Sequence, residues 1–381
     1  MTEQYDLAVI GGGPVGAALA LEAMRRRLRV LVLEARQAES RSTDNRPMAL
    51  SYGSRLILEH VGVWEQLSPV TPIRRIHVSQ RGGFGRTEMT AAAARLPALG
   101  YMVDYTGLVA CLDAALERTS ATVTRGARVM SIAHDPASAR IEFQREGEVR
   151  DAIASVVALA DGGATGLDVG IRRRDYDQVA ITARVSTARA HEHTAFERFT
   201  AEGPIALLPF DRTYALVWTL APGRGESLCS APSSAFLAAL HTVFGERVGA
   251  FLDVSERHLH RLTLRVSERA TIGRMALVGN ASQSLHPVAG QGFNLGLRDA
   301  WELAAEIARC DAASPDVLSA YGRRRRIDRA AGVAFTHGLV NIFSNENAAL
   351  RAMRGLGLTA IDCLPAAKDL LVRRMVFGAR L

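Results

Sequence analysis

The sequence predicts an α/β fold: a Rossmann-like dinucleotide-binding domain that carries an inserted antiparallel sheet and ends in helices. Three observations predict it. At the N-terminus an apolar strand pattern (YDLAVI) runs into a glycine turn (GGGPVG) and a helical run. Between Gly170 and Val266 the texture changes to period-two alternation. From Leu277 to Ala300 a second strand passes through a glycine loop into a helix.

Tyr5–Ile10 reads as a buried parallel strand, Ala17–Arg27 as a helix and Arg29–Leu33 as a second strand, ended by Glu34. Between the first two, Gly11 permits a tight turn, Gly13 lets the backbone approach a pyrophosphate and Gly16 lets helix and strand pack closely. Glu34 lies where an acid accepts hydrogen bonds from a ribose. After a polar loop, Asp44–Ser54 begins a helix-like run through His60. Arg46 is a candidate phosphate or cofactor contact, because its planar fork suits anionic oxygens, and a solvated loop arginine is the plain alternative. Arg75–Gln80 and Arg86–Thr90 read as strands paired around Gly82-Gly83, Gly107–Arg118 as an amphipathic helix, and Ala121–Arg125 and Val129–Ala133 as strands. Asp151–Leu159 leads into Ala160-Asp161-Gly162-Gly163. An acid there can accept cofactor hydroxyls or reach phosphates through water, or it is an ordinary Asp-Gly turn.

Val179–Val185, Ile205–Phe210, Tyr214–Leu220 and His258–Val266 alternate as strands of an antiparallel sheet, interrupted by a helical pattern at Ser233–Phe244. This reads as a substrate-covering domain. His191 and His193 form an HxH pair with no third ligand in view, so no metal site is expected. The later loop holds His286-Pro287 and Gly290-Gln291-Gly292 in front of a helix, where unpaired N–H groups and partial positive charge favour an electron-rich ligand. Helices Asp299–Arg309 and Asp316–Ser344 follow. The run Arg323–Arg326 reads as a solvated helix face or a contact for an acidic partner. Arg351–Val376 mixes apolar and basic residues. It suits an amphipathic surface for a membrane or partner, and equally terminal helices packed on the body.

A chain of 381 residues suggests two domains, or one with an insertion, and 48% hydrophobic with 22% charged residues is globular rather than disordered. The formal charge is +7, yet Lys368 is the only lysine among 46 basic residues and no aromatic-interleaved basic stripe exists, so no nucleic acid is expected. Cys111, Cys229, Cys310 and Cys363 lack Cys-x-x-Cys spacing and read as free thiols of a reducing compartment. No signal-peptide pattern and no bilayer-length apolar run is seen, so the expected location is cytoplasmic, with peripheral contact at the inner face of the membrane.

The three signatures in order, Gly11–Gly16 with Glu34, Ala160-Asp161-Gly162, and Gly279-Asn280 leading to Pro287 and Gly290–Asn294, resemble the para-hydroxybenzoate hydroxylase-type flavoprotein monooxygenases. Within that group, DNRPMALSYGS, RIHVSQRGGFG and LVGNASQSLHPVAGQGFNLGLRDA resemble the FAD-dependent hydroxylases of ubiquinone biosynthesis, closest to those acting on polyprenyl methoxyphenols. The resemblance implies an FAD-binding domain over 1–74, 98–169 and 266–344, a substrate-binding β-sheet domain over 75–97 and 170–265, and a C-terminal helical segment, 345–381. It puts Gly11, Gly13, Pro14, Val15 and Gly16 at the pyrophosphate, Glu34 and Ala35 at the adenosine, and Arg46 with Met48 near the flavin side. Val129 joins the cofactor set, Asp161 and Gly162 lie near the pyrophosphate, and Asn280 at the ribityl chain. Pro287 and Gly290, Gln291, Gly292, Phe293 and Asn294 border the isoalloxazine. His286 and Pro287 are the catalytic candidates.

The activity implied is hydroxylation of a polyprenylated phenol using FAD, NAD(P)H and O₂. Other ubiquinone-biosynthesis proteins, a membrane surface and a second copy of the chain are the expected partners. Two departures bear on this. Gly279-Asn280 replaces the wider group's Gly-Asp, and Gly163-Ala164-Thr165 follows Asp161-Gly162 where the family continues with Ser and often Arg. The second leaves nicotinamide handling open. The competing readings are a non-hydroxylating FAD enzyme of the same fold, of polyprenyl reductase type, or a flavin-binding accessory subunit. A halogenase is disfavoured because Val217-Trp218-Thr219-Leu220-Ala221-Pro222 holds one tryptophan.

Overall fold

A computed structural model describes residues 3–37, 46–164, 166–286, 290–343 and 348–378. Its first sheet is built on the strand Gln4–Ile10, whose apolar run Leu7–Ile10 is almost wholly inaccessible because both faces are covered. This strand pairs in parallel with Glu148–Leu159 on one side and Val30–Glu34 on the other. Met275–Leu277 and Thr122–Arg125 extend the parallel array outward on either flank. The carboxyl ends of these strands therefore lie along one edge. There Gly11 N donates to Leu33 O at 2.8 Å, Ala160 N to Ile10 O at 2.8 Å and Val278 N to Leu159 O at 3.0 Å. That edge is where open α/β sheets bind ligands.

The helices Pro14–Arg25 and Gln291–Arg309 lie against this sheet and against each other through small residues. A Cβ built at Gly296 falls 2.9 Å from Val15 Cγ2 and 3.1 Å from Gly279 Cα, so a larger residue would separate the two helices. An antiparallel hairpin, Arg128–His134 with Ala139–Arg145, pairs with the first part of Glu148–Leu159.

The second sheet has nine strands in the order Gln283–Ser284, His258–Ser267, Ile171–Thr187, Thr213–Leu220, Pro204–Phe210, Thr194–Phe199, Arg75–Gln80 and Arg86–Thr90, with Phe251–Val254 beside Ile171–Thr187. One face buries Tyr214, Leu216 and Trp218 against Phe236, Leu240 and Phe244 of the helix Ser233–Phe244. The other face meets Ile73 and Met102 through Ala195, Phe210 and Ala215, and elsewhere lies under the C-terminal helices. A small sheet of Pro47–Ser51, Gly100–Asp104 and Val70–Ile73 joins the two. Three helices, Asp316–Phe343, Ala348–Cys363 and Pro365–Phe377, close the chain.

Several local expectations change. The stretch after residue 46 is first a strand. The helix starts at Tyr52, where Ser51 Oγ accepts the Ser54 amide at 3.2 Å as an N-cap. Strand Thr194–Phe199 and helix Pro222–Ser230 were not expected. The strand hides its period because it carries apolar residues on both faces. Arg351–Val376 is two helices, broken where Leu364-Pro365 lets Pro365 start a new one. The Arg323–Arg326 run is not one solvated face. Arg323 and Arg326 are exposed, but Arg325 is buried on Asp299 and Arg324 pairs with Glu302 and Glu306.

Candidate functional site

The N-terminal turn has the geometry its glycines suggest. Gly11 takes φ +100°, and a Cβ there would fall 2.7 Å from the Ala160 carbonyl oxygen. A Cβ at Gly16 would fall 2.0 Å from Gly11 O, so Gly16 is a packing glycine. At Gly13 a Cβ meets nothing within 4 Å, leaving the backbone of the helix N-terminus open to a ligand. Pro14 occupies the first helical turn, where a missing N–H costs nothing, and Val15 packs on Gly279 and Gly296.

Glu34 sits buried at the end of its strand. Its Oε2 accepts the Gly12 amide at 2.6 Å, and its Oε1 accepts from Arg36 N at 2.8 Å and Arg36 Nε at 3.1 Å. Burial works to raise its pKa, but the Arg36 contacts and the Gly12 amide prevail and hold it below the usual carboxylate range. Arg36 joins the site although no motif marks it; its place two residues beyond the strand-end acid is the signal the sequence offers. Ala35, between them, is exposed. Asp161 Oδ1 accepts the Gly163 amide at 2.9 Å, forming a turn that exposes Gly162 at φ +72°. Arg46 is exposed, with its guanidinium 4.9 Å from the Tyr105 ring centre. Met48 is half-buried against the first core. Val129 is 5% exposed in the core beneath the first sheet, so its side chain offers nothing to a cofactor.

At the other end of the edge, Gly279 has φ +61° and Asn280 is exposed. Gly290 caps the helix Gln291–Arg309 in the left-handed conformation, φ 58°. The first-turn amides of Gln291, Gly292 and Phe293 gather at this end of the edge, and a Cβ at Gly292 meets nothing within 4 Å. Phe293 packs partly into the first core. Asn294 is spent on the protein: Oδ1 accepts from Ser51 N at 2.8 Å and Ser54 Oγ at 2.7 Å, while Nδ2 donates to Gly290 O at 2.7 Å and Ala49 O at 3.2 Å. It clamps the loop to the small sheet. His286 is buried edge-on to Tyr176, ring centres 5.4 Å apart, and burial lowers its pKa to about 4, so its ring is neutral at physiological pH. Pro287 lies outside the described residues.

Behind the loop stands a buried ion cluster that was not expected. Asp299 Oδ2 accepts the Gly279 amide at 3.0 Å and its Oδ1 accepts from Arg325 Nε at 2.6 Å. Arg325 also donates to Asp328 at 2.7 Å, and Arg298 to Asp328 at 3.2 Å. Tyr321 OH donates to Leu277 O at 3.0 Å. Burial opposes the Arg325 charge, yet the facing Asp299 and Asp328 raise its pKa and keep it protonated.

Next to the helix N-terminus at Gly290 is a cavity of about 260 Å³. Its floor is the inner face of the second sheet, through Ile76, Val78, Ala206 and Val217, and one end reaches Gly290, Gln291 and Asn294. The C-terminal helices roof it with Leu358, Ile361, Leu371, Val372 and Met375. The lining is almost wholly apolar. His191 and His193, by contrast, lie in a loop where His191 contacts Asp211 O at 2.7 Å, and among the described residues no group of His, Cys, Asp or Glu is arranged to hold a metal. No helix among the described residues is long and apolar enough to cross a membrane.

A glycine turn at the carboxyl edge of a parallel sheet, an acid closing the next strand and a second helix N-terminus facing it define a Rossmann-type dinucleotide-binding protein, here with an apolar chamber beside the nucleotide edge. The chain belongs to the FAD binding domain family, whose model matches residues 4–336. The ubiquinone hydroxylase UbiL of Rhodospirillum rubrum is 32% identical over 97% of this chain and 88% of its own length. The 3-demethoxyubiquinol 3-hydroxylase of Escherichia coli is 30% identical over 95% of this chain and 96% of its own. The family expected from the motifs is therefore the family found. In fold, the chain matches p-nitrophenol 4-monooxygenase PnpA of Pseudomonas putida with a TM-score of 0.77 over 98% of both chains at 17% identity.

The described residues fit FAD. A Cβ at Gly13, Gly162 or Gly292 meets nothing within 4 Å, so a bulky anionic group can approach the backbone there, and a helix N-terminus stands at each end of the edge.

Proposed function

We propose that the protein is an FAD-dependent monooxygenase that hydroxylates the ring of a polyprenylated phenol in ubiquinone biosynthesis, with NAD(P)H and O₂ as co-substrates. The observation that carries this reading is the cavity, an apolar chamber that begins at the helix N-terminus Gly290–Asn294 and runs under the C-terminal helices. A ring placed at that end and an isoprenoid tail along Val78, Val217 and Leu358 would match its chemistry.

In this reading the Gly11–Gly16 turn, Asp161 and Gly162 hold the pyrophosphate, Glu34 with Arg36 meets the adenosine ribose, and Asn280 the ribityl chain. Gly290–Phe293 border the isoalloxazine, with Asn294 as the clamp that sets their position. Bound FAD supplies the redox and oxygen-activating chemistry. The amides of Gln291, Gly292 and Phe293 would stabilise negative charge on the ring edge they face. His286, neutral and buried, keeps the loop dry beside Tyr176. The roof helices exclude water from the chamber.

Those helices also turn Met353, Leu356, Leu364 and Leu370 outward, each more than half exposed, next to exposed Arg351, Arg373 and Arg374. A substrate confined to a bilayer would reach the chamber from a membrane surface touching that face.

The test is turnover of the FAD-loaded protein with NAD(P)H, a prenylated phenol and ¹⁸O₂. Labelled oxygen in the product is expected. Nicotinamide oxidation that yields only hydrogen peroxide, with no label in the ring, would leave a non-hydroxylating flavoprotein instead.

A further inference from the structure

The cavity contains one ionisable side chain among the described residues, Glu197. It comes from the strand Thr194–Phe199, between Ala195 and Phe199 on the face that lines the chamber. Across the sheet it stands level with Val78 on one neighbouring strand and Ala206 on the other, and Thr87 and Val217 complete that row. All are cavity residues. An acid in the middle of an apolar floor has no packing rationale, because leucine or valine would fill the place at no desolvation cost.

The other polar side chains of the chamber are committed. Ser51 and Ser54 engage each other and Asn294. Thr87 Oγ1 donates to Asp362 at 3.3 Å, and Gln291 Nε2 to Met375 O at 3.4 Å. Glu197 Oε1 is buried without a hydrogen-bond partner, while the residue as a whole keeps some surface and lines the chamber. Buried acceptors are almost always satisfied, so an acid with an orphaned oxygen on the wall of an otherwise apolar cavity marks the place of a ligand's donor.

We propose that Glu197 is the residue that receives the ring hydroxyl of the substrate: its carboxylate accepts the hydroxyl's hydrogen bond and takes its proton as the ring is oxygenated. This rests on the hydroxylase reading above. In the step, the phenolic O–H bond breaks, the electron pair stays on the phenol oxygen and enriches the ring, and the proton ends on the Glu197 carboxylate. An electron-rich ring is what an electrophilic oxygen requires, and the carboxylate holds the ring hydroxyl at a fixed point while the tail lies along the roof.

The surroundings leave the group tunable by burial alone, which pushes its pKa up to about 7. On its own sheet His77, Glu88 and Arg198 stand on the opposite face, together with Arg247, which reaches Ser79 at 3.5 Å. On the roof, Asp362 pairs with Lys368 at 2.7 Å and Asp369 with Arg373 at 2.8 Å, and Arg351 and Arg374 are exposed. Arg354 donates to Ile342 O at 3.0 Å. On the helix Asp316–Phe343, His337 contacts Arg174 at 3.0 Å and Arg329 donates to Ser267 O at 2.8 Å.

The test uses the FAD-loaded protein and two probes, 2-farnesylphenol and its methyl ether 2-farnesylanisole, which differ in the hydroxyl proton. Binding is read from the perturbation of the flavin absorbance between pH 6 and 9, with no turnover. The wild type should prefer the phenol by roughly tenfold or more above pH 7, and less at pH 6, because a hydrogen bond to a charged acceptor is lost with the ether. Glu197→Leu should abolish the preference while still binding the ether. Glu197→Gln should keep a smaller preference with no pH dependence. A wild type that binds both probes equally at every pH overturns the assignment without any variant, and so does a Glu197→Leu protein that still prefers the phenol. A wild type that binds neither probe sinks the hydroxylase reading itself.

Discussion

Arg325 Nε lies 2.6 Å from Asp299 Oδ1, and the other oxygen of that carboxylate holds the Gly279 amide at 3.0 Å. A buried guanidinium thus fixes, through one acid, the turn at which the last strand of the parallel sheet meets the candidate ribityl site. Arg325→Leu leaves Asp299 buried without its cation and should destabilise the fold by about 3–5 kcal/mol. The double change with Asp299→Asn should cost less than the single one. Urea unfolding of the wild type and the two variants checks both statements, and FAD content should fall with the single substitution.

Gly13 and Gly16 make opposite predictions. Gly16→Ala pushes a Cβ to 2.0 Å from Gly11 O, so the cofactor-free protein itself should lose stability. Gly13→Ala meets nothing within 4 Å and should leave the cofactor-free melting temperature unchanged while weakening FAD binding. Thermal melts paired with FAD titration separate the two. Equal loss of stability in both would refute the division of labour.

Glu197 should cost stability at neutral pH. Its pKa rises from 4.5 in the unfolded chain to about 7 in the folded one. A raised carboxyl pKa stabilises fully below pH 4.5, and that contribution disappears as pH climbs through 7, where the folded state must ionise a buried group. The span corresponds to a cost on the order of 3 kcal/mol. Glu197→Gln should therefore melt at about the wild-type temperature at pH 4.5 and above it at pH 8. Melts at several pH values check the trend, and a constant offset would refute it.

The outward apolar residues of the roof should govern membrane contact. Replacing Met353, Leu356 and Leu370 by serine should reduce co-sedimentation with anionic vesicles several-fold and leave FAD content intact, since the side chains are 65%, 62% and 60% exposed. Unchanged sedimentation would assign these residues to another partner.

The nucleotide edge was legible because its chemistry is local: Gly11, Gly13, Gly16 and Glu34 fall within one strand–turn–helix–strand passage whose spacing is set by the ligand. The second sheet was legible wherever one face was apolar, as in Tyr214–Leu220. Thr194–Phe199 was not, because Phe196 buries on one face and Phe199 on the other, which erases the alternation and hid Glu197 with it. Arg325 looked like one of four solvated arginines. Burial between Asp299, on another helix 26 positions away, and Asp328 distinguishes it. The strand of Val129 was legible too, but not that its side chain turns into the core, which leaves only its backbone to meet a ligand.

The contact of Val15 with Gly279 and Gly296 also sets the order in which this protein can be completed. The central strand needs Glu148–Leu159 before it has both neighbours, and the helix that follows it packs early on Tyr105–Glu117 but lacks its second helical neighbour until Gln291–Arg309 has been made. A chain emerging from the ribosome therefore carries its glycine turn long before it carries the surface that steadies it. A cofactor that spans both glycine loops can be held at both ends only by a nearly finished chain.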